Sequence, residues 1–229
     1  MIGKIKVLNF KSLLILNTFA LLVTSFFFNN FIFIGVYTLF FFISLFTTKN
    51  SLKKIKKLNL LQNIRTEGPP SHFKKSDTPT MGGIFIMIPF LIFLLIITIN
   101  LSSVKLLLLL LTIFGFFITG FLDDYLSIKN KESTGLKTKE KFILQSIISI
   151  IFISLAYEKN FINPLITISE SWGINVNIFI LPISFLVLVG ISNSVNLTDG
   201  LDGLAAGCSG IVFYGLGTEI LMKEQQELF

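Results

Sequence analysis

Residues 104–122 read VKLLLLLLTIFGFFITGFL, and the next two are Asp123 and Asp124. A helix rises 1.5 Å per residue, so about 20 apolar residues cross the ~30 Å hydrocarbon layer of a bilayer. This stretch is therefore a membrane span that ends on two carboxylates. Working outward, the same reading predicts seven spans: 11–28, 31–47, 82–99, 104–122, 142–157, 176–192 and 203–218. Only Phe28-Asn29-Asn30-Phe31 separates the first two, so a single kinked span over 11–47, giving six in all, is the alternative. Composition agrees. Of 229 residues, 52% are hydrophobic and 14% charged, with a mean hydropathy of +0.80. A soluble domain carries roughly a quarter charged residues. A water-soluble surface is thus excluded, as is disorder, which needs low hydrophobicity. The single Cys excludes a disulfide framework. The expected fold is all-α: a polytopic transmembrane helical bundle forming one membrane domain over 1–229.

The net charge of +6 speaks to orientation rather than to nucleic acid, which is not an expected partner. Lys4, Lys6 and Lys11 precede the first span. Lys49, Lys53, Lys54, Lys56, Lys57, Arg65, Lys74 and Lys75 lie in segment 48–81. Lys129, Lys131, Lys137, Lys139 and Lys141 lie in segment 123–141. With seven spans and a cytoplasmic N-terminus, all of these fall on one side, and only Lys105, Lys159 and Lys223 fall on the other. The positive-inside rule makes the first side cytoplasmic. Treating 11–47 as one span moves three lysines across and changes nothing downstream. The N-terminal apolar stretch is long and lacks a small-residue cleavage site, so it does not read as a signal peptide. Segment 48–81 reads as a basic cytoplasmic loop, broken by Gly68-Pro69-Pro70 and Thr78-Pro79-Thr80. Within it, Leu52 to Leu61 reads as an amphipathic helix at the headgroups.

Three polar clusters abut spans on the cytoplasmic side. The first is Gly120-Phe121-Leu122-Asp123-Asp124-Tyr125, at the head of a cytoplasmic loop over 123–141. Neighbours on a helix point about 100° apart. The two carboxylates therefore divide their roles, one toward a cation and the other toward a substrate or a Lys. Their mutual repulsion, and the negative end of the helix dipole, call for a cation nearby. Plain membrane-edge polarity is the competing reading. The second is Asn193-Ser194-Val195-Asn196-Leu197-Thr198-Asp199-Gly200-Leu201-Asp202, in a loop over 192–204. Asp199 and Asp202 share a face if that segment is helical, as do Asn193 and Asn196. An ordinary interhelical turn needs one such residue, not four. The third runs from Ser71-His72-Phe73-Lys74-Lys75 to Thr78-Pro79-Thr80-Met81-Gly82-Gly83. Thr80 or Thr78 is placed to cap the following span, whose N–H groups, with Lys75, suit a phosphate. A basic surface loop with an ordinary cap is the alternative. His72 reads as a solvated loop residue, Cys208 as part of a small-residue packing face, and Trp172 and Tyr157 as outer-interface residues.

Acidic clusters, a Lys/Gly loop and a membrane body together fit Mg²⁺-assisted phosphoryl chemistry on a lipid-borne phosphate. Mg²⁺ prefers a few carboxylates plus phosphate oxygens. Lys129, Lys131, Lys139 and Lys141 are available for the remaining phosphate charge. An ion-coupled transporter is the rival class, but transporter sites lie near the bilayer midplane. A non-catalytic envelope scaffold is a more distant third.

These residues resemble the phospho-N-acetylmuramoyl-pentapeptide-transferase family, within the polyprenyl-phosphate sugar-1-phosphate transferases. The similar stretches are Glu67 to Phe73 with Lys75, Thr78 to Gly83, Gly120 to Tyr125, Gly135-Leu136 with Lys139 and Lys141, and Asn193 to Ala205. The resemblance implies transfer of phospho-N-acetylmuramoyl-pentapeptide from its UDP carrier to undecaprenyl phosphate, giving lipid I and UMP. Another polyprenyl-phosphate N-acetylhexosamine-1-phosphate transferase is the near alternative. It further implies Mg²⁺, a bacterial inner membrane with the active face cytoplasmic, peptidoglycan synthesis, and a homodimer. By resemblance Asp123 is the base or nucleophile with Asp124 beside it. Lys75, Thr80, Lys131, Lys139, Asn193, Asn196, Asp199 and Asp202 bind substrate, and Asp123 and Asp199 face the metal. Two positions depart from the pattern: Asp77, where Gly is common, and Thr134, where Lys is common. The family also continues with further spans, a Phe-Met-Gly-Asp segment with a metal-binding Asp, and a His-rich loop. These are absent from the 229 residues. The expectation is that this chain alone releases no UMP from the two substrates with Mg²⁺. Robust release by the purified chain would overturn it.

Overall fold

The computed structural model describes residues 31–57, 80–132, 134–169, 172–199 and 203–226. These described residues form six helices, in order α1 (Phe31–Lys57), α2 (Gly83–Leu101), α3 (Val104–Asn130), α4 (Thr138–Glu158), α5 (Ile180–Thr198) and α6 (Leu204–Gln226). Between α4 and α5 lie β1 (Leu165–Ser169), β2 (Trp172–Asn175) and one 3-10 turn, Asn177–Phe179. Contacts divide the chain into two compact units, Ile43–Thr198 and a second made of Met1–Phe42 with Asp199–Phe229. The first of these units carries α2 to α5.

Among the described residues, four helices are long and apolar enough to cross a membrane: Gly83–Leu101, Val104–Asn130, Thr138–Glu158 and Asn177–Thr198. The apolar part of α6, Leu204–Ile220, is shorter. The helical fold expected from the sequence is observed, and the span expected at 11–28 lies outside the described residues. Several boundaries differ from expectation. α1 does not stop near residue 47 but continues to Lys57, so the start of the expected amphipathic segment at Leu52 belongs to the same helix. No Gly or Pro interrupts 36–57, and nothing there breaks a helix. α3 runs eight residues past 122, so the Asp pair sits inside a helix and not in a loop. It ends where Lys131 turns left-handed (φ 56) and its N–H caps Ile128 and Ser127. α5 likewise stays helical to Thr198, which takes Asn193 and Asn196 out of the expected loop 192–204. The hairpin β1–β2 was not foreseen. It is antiparallel, pairing Leu165 with Asn175 and Ile166 with Ile174.

Packing is sequential. α2 lies on α3, α3 on α4 and α4 on α5, as short connections such as Ser102–Ser103 dictate. The outer faces are apolar, with Ile99, Leu186 and Ile191 among many exposed large residues. That is the surface lipid requires and water forbids. Inside, several polar groups find partners within the bundle, because hydrocarbon offers none, although the buried Ser146 and Ser149 hydroxyls of α4 have none among the described residues. Thr98 donates to Leu94 O at 2.6 Å, Thr112 to Leu108 O at 2.8 Å and Thr119 to Gly115 O at 3.1 Å. Gln145, buried on α4, binds α5 twice: it donates to Ser192 Oγ at 3.1 Å and accepts from Asn193 Nδ2 at 2.7 Å. Thr47 joins α1 to α2 by donating to Phe85 O at 3.1 Å.

Gly115 marks a close approach of α3 to α4, where an added Cβ would meet the Ile148 side chain at 3.1 Å. Overpacking such a contact costs about 1–3 kcal/mol. Gly115→Val is expected to lower the melting temperature of the detergent-solubilised chain by several degrees. Gly190→Ala, on open helix surface, is expected to leave it unchanged or raise it. Equal effects would refute the helix contact.

Candidate active site

The ends of α2, α3, α4 and α5 converge on one cavity of about 240 Å³. α3 supplies Asp123 and Asp124, with Phe117, Gly120 and Phe121 within the two preceding turns. The start of α2 supplies Met81, Gly83 and Ile84, α4 supplies Lys141, and α5 supplies Asn196. The lining thus has a charged end and an apolar wall of aromatic rings. Those rings continue along α3 as a ladder, with Phe114–Phe117, Phe117–Phe121 and Phe121–Tyr125 centroids 6.4, 6.4 and 6.1 Å apart. The i, i+3 and i+4 spacing of one helix face produces it.

Asp123 is held at both oxygens. Oδ2 accepts from Lys141 Nζ at 2.7 Å, a charge-assisted bond, and Oδ1 accepts from the Leu136 backbone N–H at 2.9 Å. Lys141 also donates to Asn196 Oδ1 at 3.4 Å, so one ammonium links α3, α4 and α5. Asp124 points elsewhere, as a 100° step requires. Its carboxylate makes hydrogen-bonding contacts with the Met81 backbone N–H and the Thr80 side chain. Met81 is left-handed (φ 63), an unusual state for a side-chain-bearing residue. Thr80 does not cap α2. The N-cap is Gly82, without a side-chain bond, so the expected cap is replaced by this contact with Asp124.

The sequence-derived site residues therefore separate. Asp123, Asp124 and Asn196 come together, with Thr80 against Asp124. Asn193, three residues before Asn196, turns instead into the bundle, donating to Gln145 and to Val189 O at 2.8 Å. Lys131 is the exposed C-cap of α3 and Lys139 is exposed on the first turn of α4, and neither lines the cavity. Asp199 belongs to the second compact unit, and Lys75 and Asp202 lie outside the described residues. Among the described residues no group of three or more His, Cys, Asp or Glu gathers. Three features escaped the sequence reading. They are the Leu136 N–H, the Met81 N–H and the selection of Lys141 from a run of lysines. The first two are backbone groups without a residue signature. The third was legible in principle, because Lys139 and Lys141 stand about 200° apart on a helix and only one can face α3.

Comparisons with known proteins bear on this geometry. Residues 75–87 match phospho-N-acetylmuramoyl-pentapeptide-transferase signature 1. The chain is 84% identical over 229 residues to the phospho-N-acetylmuramoyl-pentapeptide-transferase of Prochlorococcus marinus strain MIT 9215, covering 100% of this chain and 64% of that protein. It is 58% identical over 228 residues to the protein of that name from strain MED4, covering 100% of this chain and 64% of the relative. The Halalkalibacterium halodurans protein of that name is 43% identical over 162 residues, 69% of this chain and 50% of its own length. The chain spans about 64% of the length of the first of these relatives. Residues 106–229, more than half of the chain, match glycosyl transferase family 4. The Asp pair, Lys141 and Asn196 all fall inside that span, and we conclude that this multi-pass membrane chain belongs to glycosyl transferase family 4.

Proposed function

We propose that the chain forms the phosphate- and lipid-facing part of a phospho-N-acetylmuramoyl-pentapeptide-transferase of the bacterial inner membrane, working at the cytoplasmic face. An oxygen of undecaprenyl phosphate forms a bond to the sugar-linked phosphorus of UDP-N-acetylmuramoyl-pentapeptide. The bond from that phosphorus to the bridging oxygen breaks, and UMP leaves. The observation that carries this reading is the cavity itself. Its charged end suits a phosphate that arrives with a divalent cation, and its aromatic wall suits the first isoprene units of a lipid. Two reacting anions repel, so a fixed cation between them removes part of the barrier. Lys141 is that cation in the described lining. Asp123 serves as base or nucleophile and Asp124 stands beside it. The 75–87 signature favours this substrate over other N-acetylhexosamine phosphates. A cavity at helix ends, and not at mid-helix, argues against an ion carrier.

Mg²⁺ fits the donor set. It takes one or two carboxylates and leaves room for phosphate oxygens. Asp123 and Asp124 would hold it, since each carboxylate has lone pairs beyond those already engaged, with Asn196 Oδ1 as a further oxygen. Bound there, it would neutralise diphosphate charge.

The test is UMP release by the chain extended to the length of the matched relatives, with both substrates. Asp123→Asn is expected to lower turnover roughly 10²–10⁴-fold, and chelation of Mg²⁺ to abolish it. Near-full turnover by the variant would remove Asp123 from its role, and ion flux without UMP would overturn the reaction. Lys141→Met is expected to lose about 10²–10³-fold in kcat. Lys139→Met is expected to stay within about threefold, as an exposed charge in water does. Equal losses would contradict the selection of Lys141.

A further inference from the structure

The connection from α3 to α4 does more than join two helices. It folds back along the last two turns of α3, so that its middle touches the helix at Asp123. Both ends of the connection are fixed. At the first, Lys131 closes α3 in the left-handed conformation, the Glu132 N–H donates to Ser127 O at 3.1 Å, and Ser127 Oγ donates to Glu132 O at 2.6 Å. At the second, the Lys137 N–H donates to Glu140 Oε2 at 2.9 Å and starts α4. Between them Gly135 lies flat on α3. A Cβ built there would overlap the Asp123 carbonyl, so no residue with a side chain fits without moving the backbone. That approach sets the next N–H, of Leu136, 2.9 Å from Asp123 Oδ1.

We propose that Gly135 and the Leu136 N–H form a backbone clamp that fixes the orientation of the Asp123 carboxylate at the cavity. A carboxylate rotates freely about its terminal torsion. Lys141 alone, a flexible four-carbon arm, does not choose one rotation. A backbone N–H on a loop anchored at both ends does. Gly135 and Leu136 are thus positioning residues. Neither presents a side chain to the cavity. The effect of the clamp on turnover rests on the reaction proposed above, whereas its effect on the carboxylate does not.

The experiment has two arms on the chain in detergent micelles, the kinetic arm using the chain extended to the relatives' length. In the first, hydrogen–deuterium exchange is followed at the Leu136 amide. Asp123→Ala is expected to speed exchange about tenfold or more, the effect of losing one hydrogen bond to a charged group. Asp123→Asn, which keeps an acceptor oxygen, is expected to retain most of the protection. Lys141→Met, which removes the other partner of Asp123, is also expected to retain it. Unchanged exchange in Asp123→Ala would overturn the clamp, as would equal acceleration in all three variants, which would mean general loosening. In the second arm, Gly135→Ala is expected to lower kcat roughly 10–100-fold, the scale of a misplaced reacting group. KM should stay within about twofold, and the added loss should vanish in an Asp123→Asn background. Full kcat in Gly135→Ala would overturn the positioning role. If the extended wild type released no UMP while the exchange pattern held, the proposed reaction would fall and the clamp on Asp123 would stand.

Discussion

The contact between Lys141 and Asp123 governs the charged end of this molecule. It spans α3 and α4 at 2.7 Å, and the side chains are only 17% and 26% exposed, so water and salt screen it less than they screen a surface pair. Its placement is costly for the helix that provides it. Lys137, Lys139 and Lys141 all stand at the N-terminal end of α4, where the helix dipole disfavours positive charge. Glu140, in the same first turn, offsets part of that cost by accepting the Lys137 N–H, and Asp123 offsets more. A lysine kept in such a position is there for the partner it meets, and the carboxylate and the ammonium hold each other at the mouth of the cavity.

Length explains why that mouth sits where it does. α3 has 27 residues, about 40 Å of helix, against a hydrocarbon layer of ~30 Å. The excess of roughly two to three turns carries Asp123, Asp124 and the polar run to Asn130. Within the hydrocarbon, threonines on α2 and α3 satisfy their hydroxyls on carbonyls of the preceding turn, and side chain to side chain bonds are reserved for Gln145 with Ser192 and Asn193. Apart from the Ser146 and Ser149 hydroxyls of α4, these polar groups are satisfied within the bundle, and the charged chemistry is left at the helix ends. The loop folding back from Lys131 to Lys137 then closes over the overrun instead of extending into water.

The spans were legible because apolar runs of about 20 residues have few other uses in a chain. Their ends were less legible, because falling hydropathy is not what stops a helix. Asp123 to Asn130 is polar yet helical, and the stop comes from the left-handed turn at Lys131. Asn193 to Thr198 continues for the same reason, with no breaker before Gly200. The hairpin at 165–175 is too short to give a periodic signal, and one pair, Ile166 with Ile174, is most of its alternation. Within the site, the residue types announced Asp123, Asp124 and Asn196. The phase of α4 decided between Lys139 and Lys141, and that phase depends on where the helix begins. Asn193 and Asn196 looked equivalent by spacing, yet one meets Gln145 and the other Lys141. A one-turn step near the end of a packed helix crosses from bundle interior to cavity.

Two adjacent carboxylates on one helix would repel if they faced the same way. Here the helical step turns them apart, and each is balanced from a different neighbour. Asp123 is met by the cation of α4. Asp124 is met by the Met81 N–H and Thr80 at the start of α2, where the positive end of that helix dipole also lies. The balance is incomplete. Among the described residues the cavity lining carries two carboxylates and one ammonium, a net negative charge. A phosphate approaching such a lining gains from Lys141 and loses to the pair, and with unit charges at similar distances the losses exceed the gain. The same lining attracts a divalent cation, and once one is held its charge reverses the sign that a diphosphate meets. The arrangement therefore suits an anion better once a cation is held than before, which is the order of events that the reaction proposed above would follow.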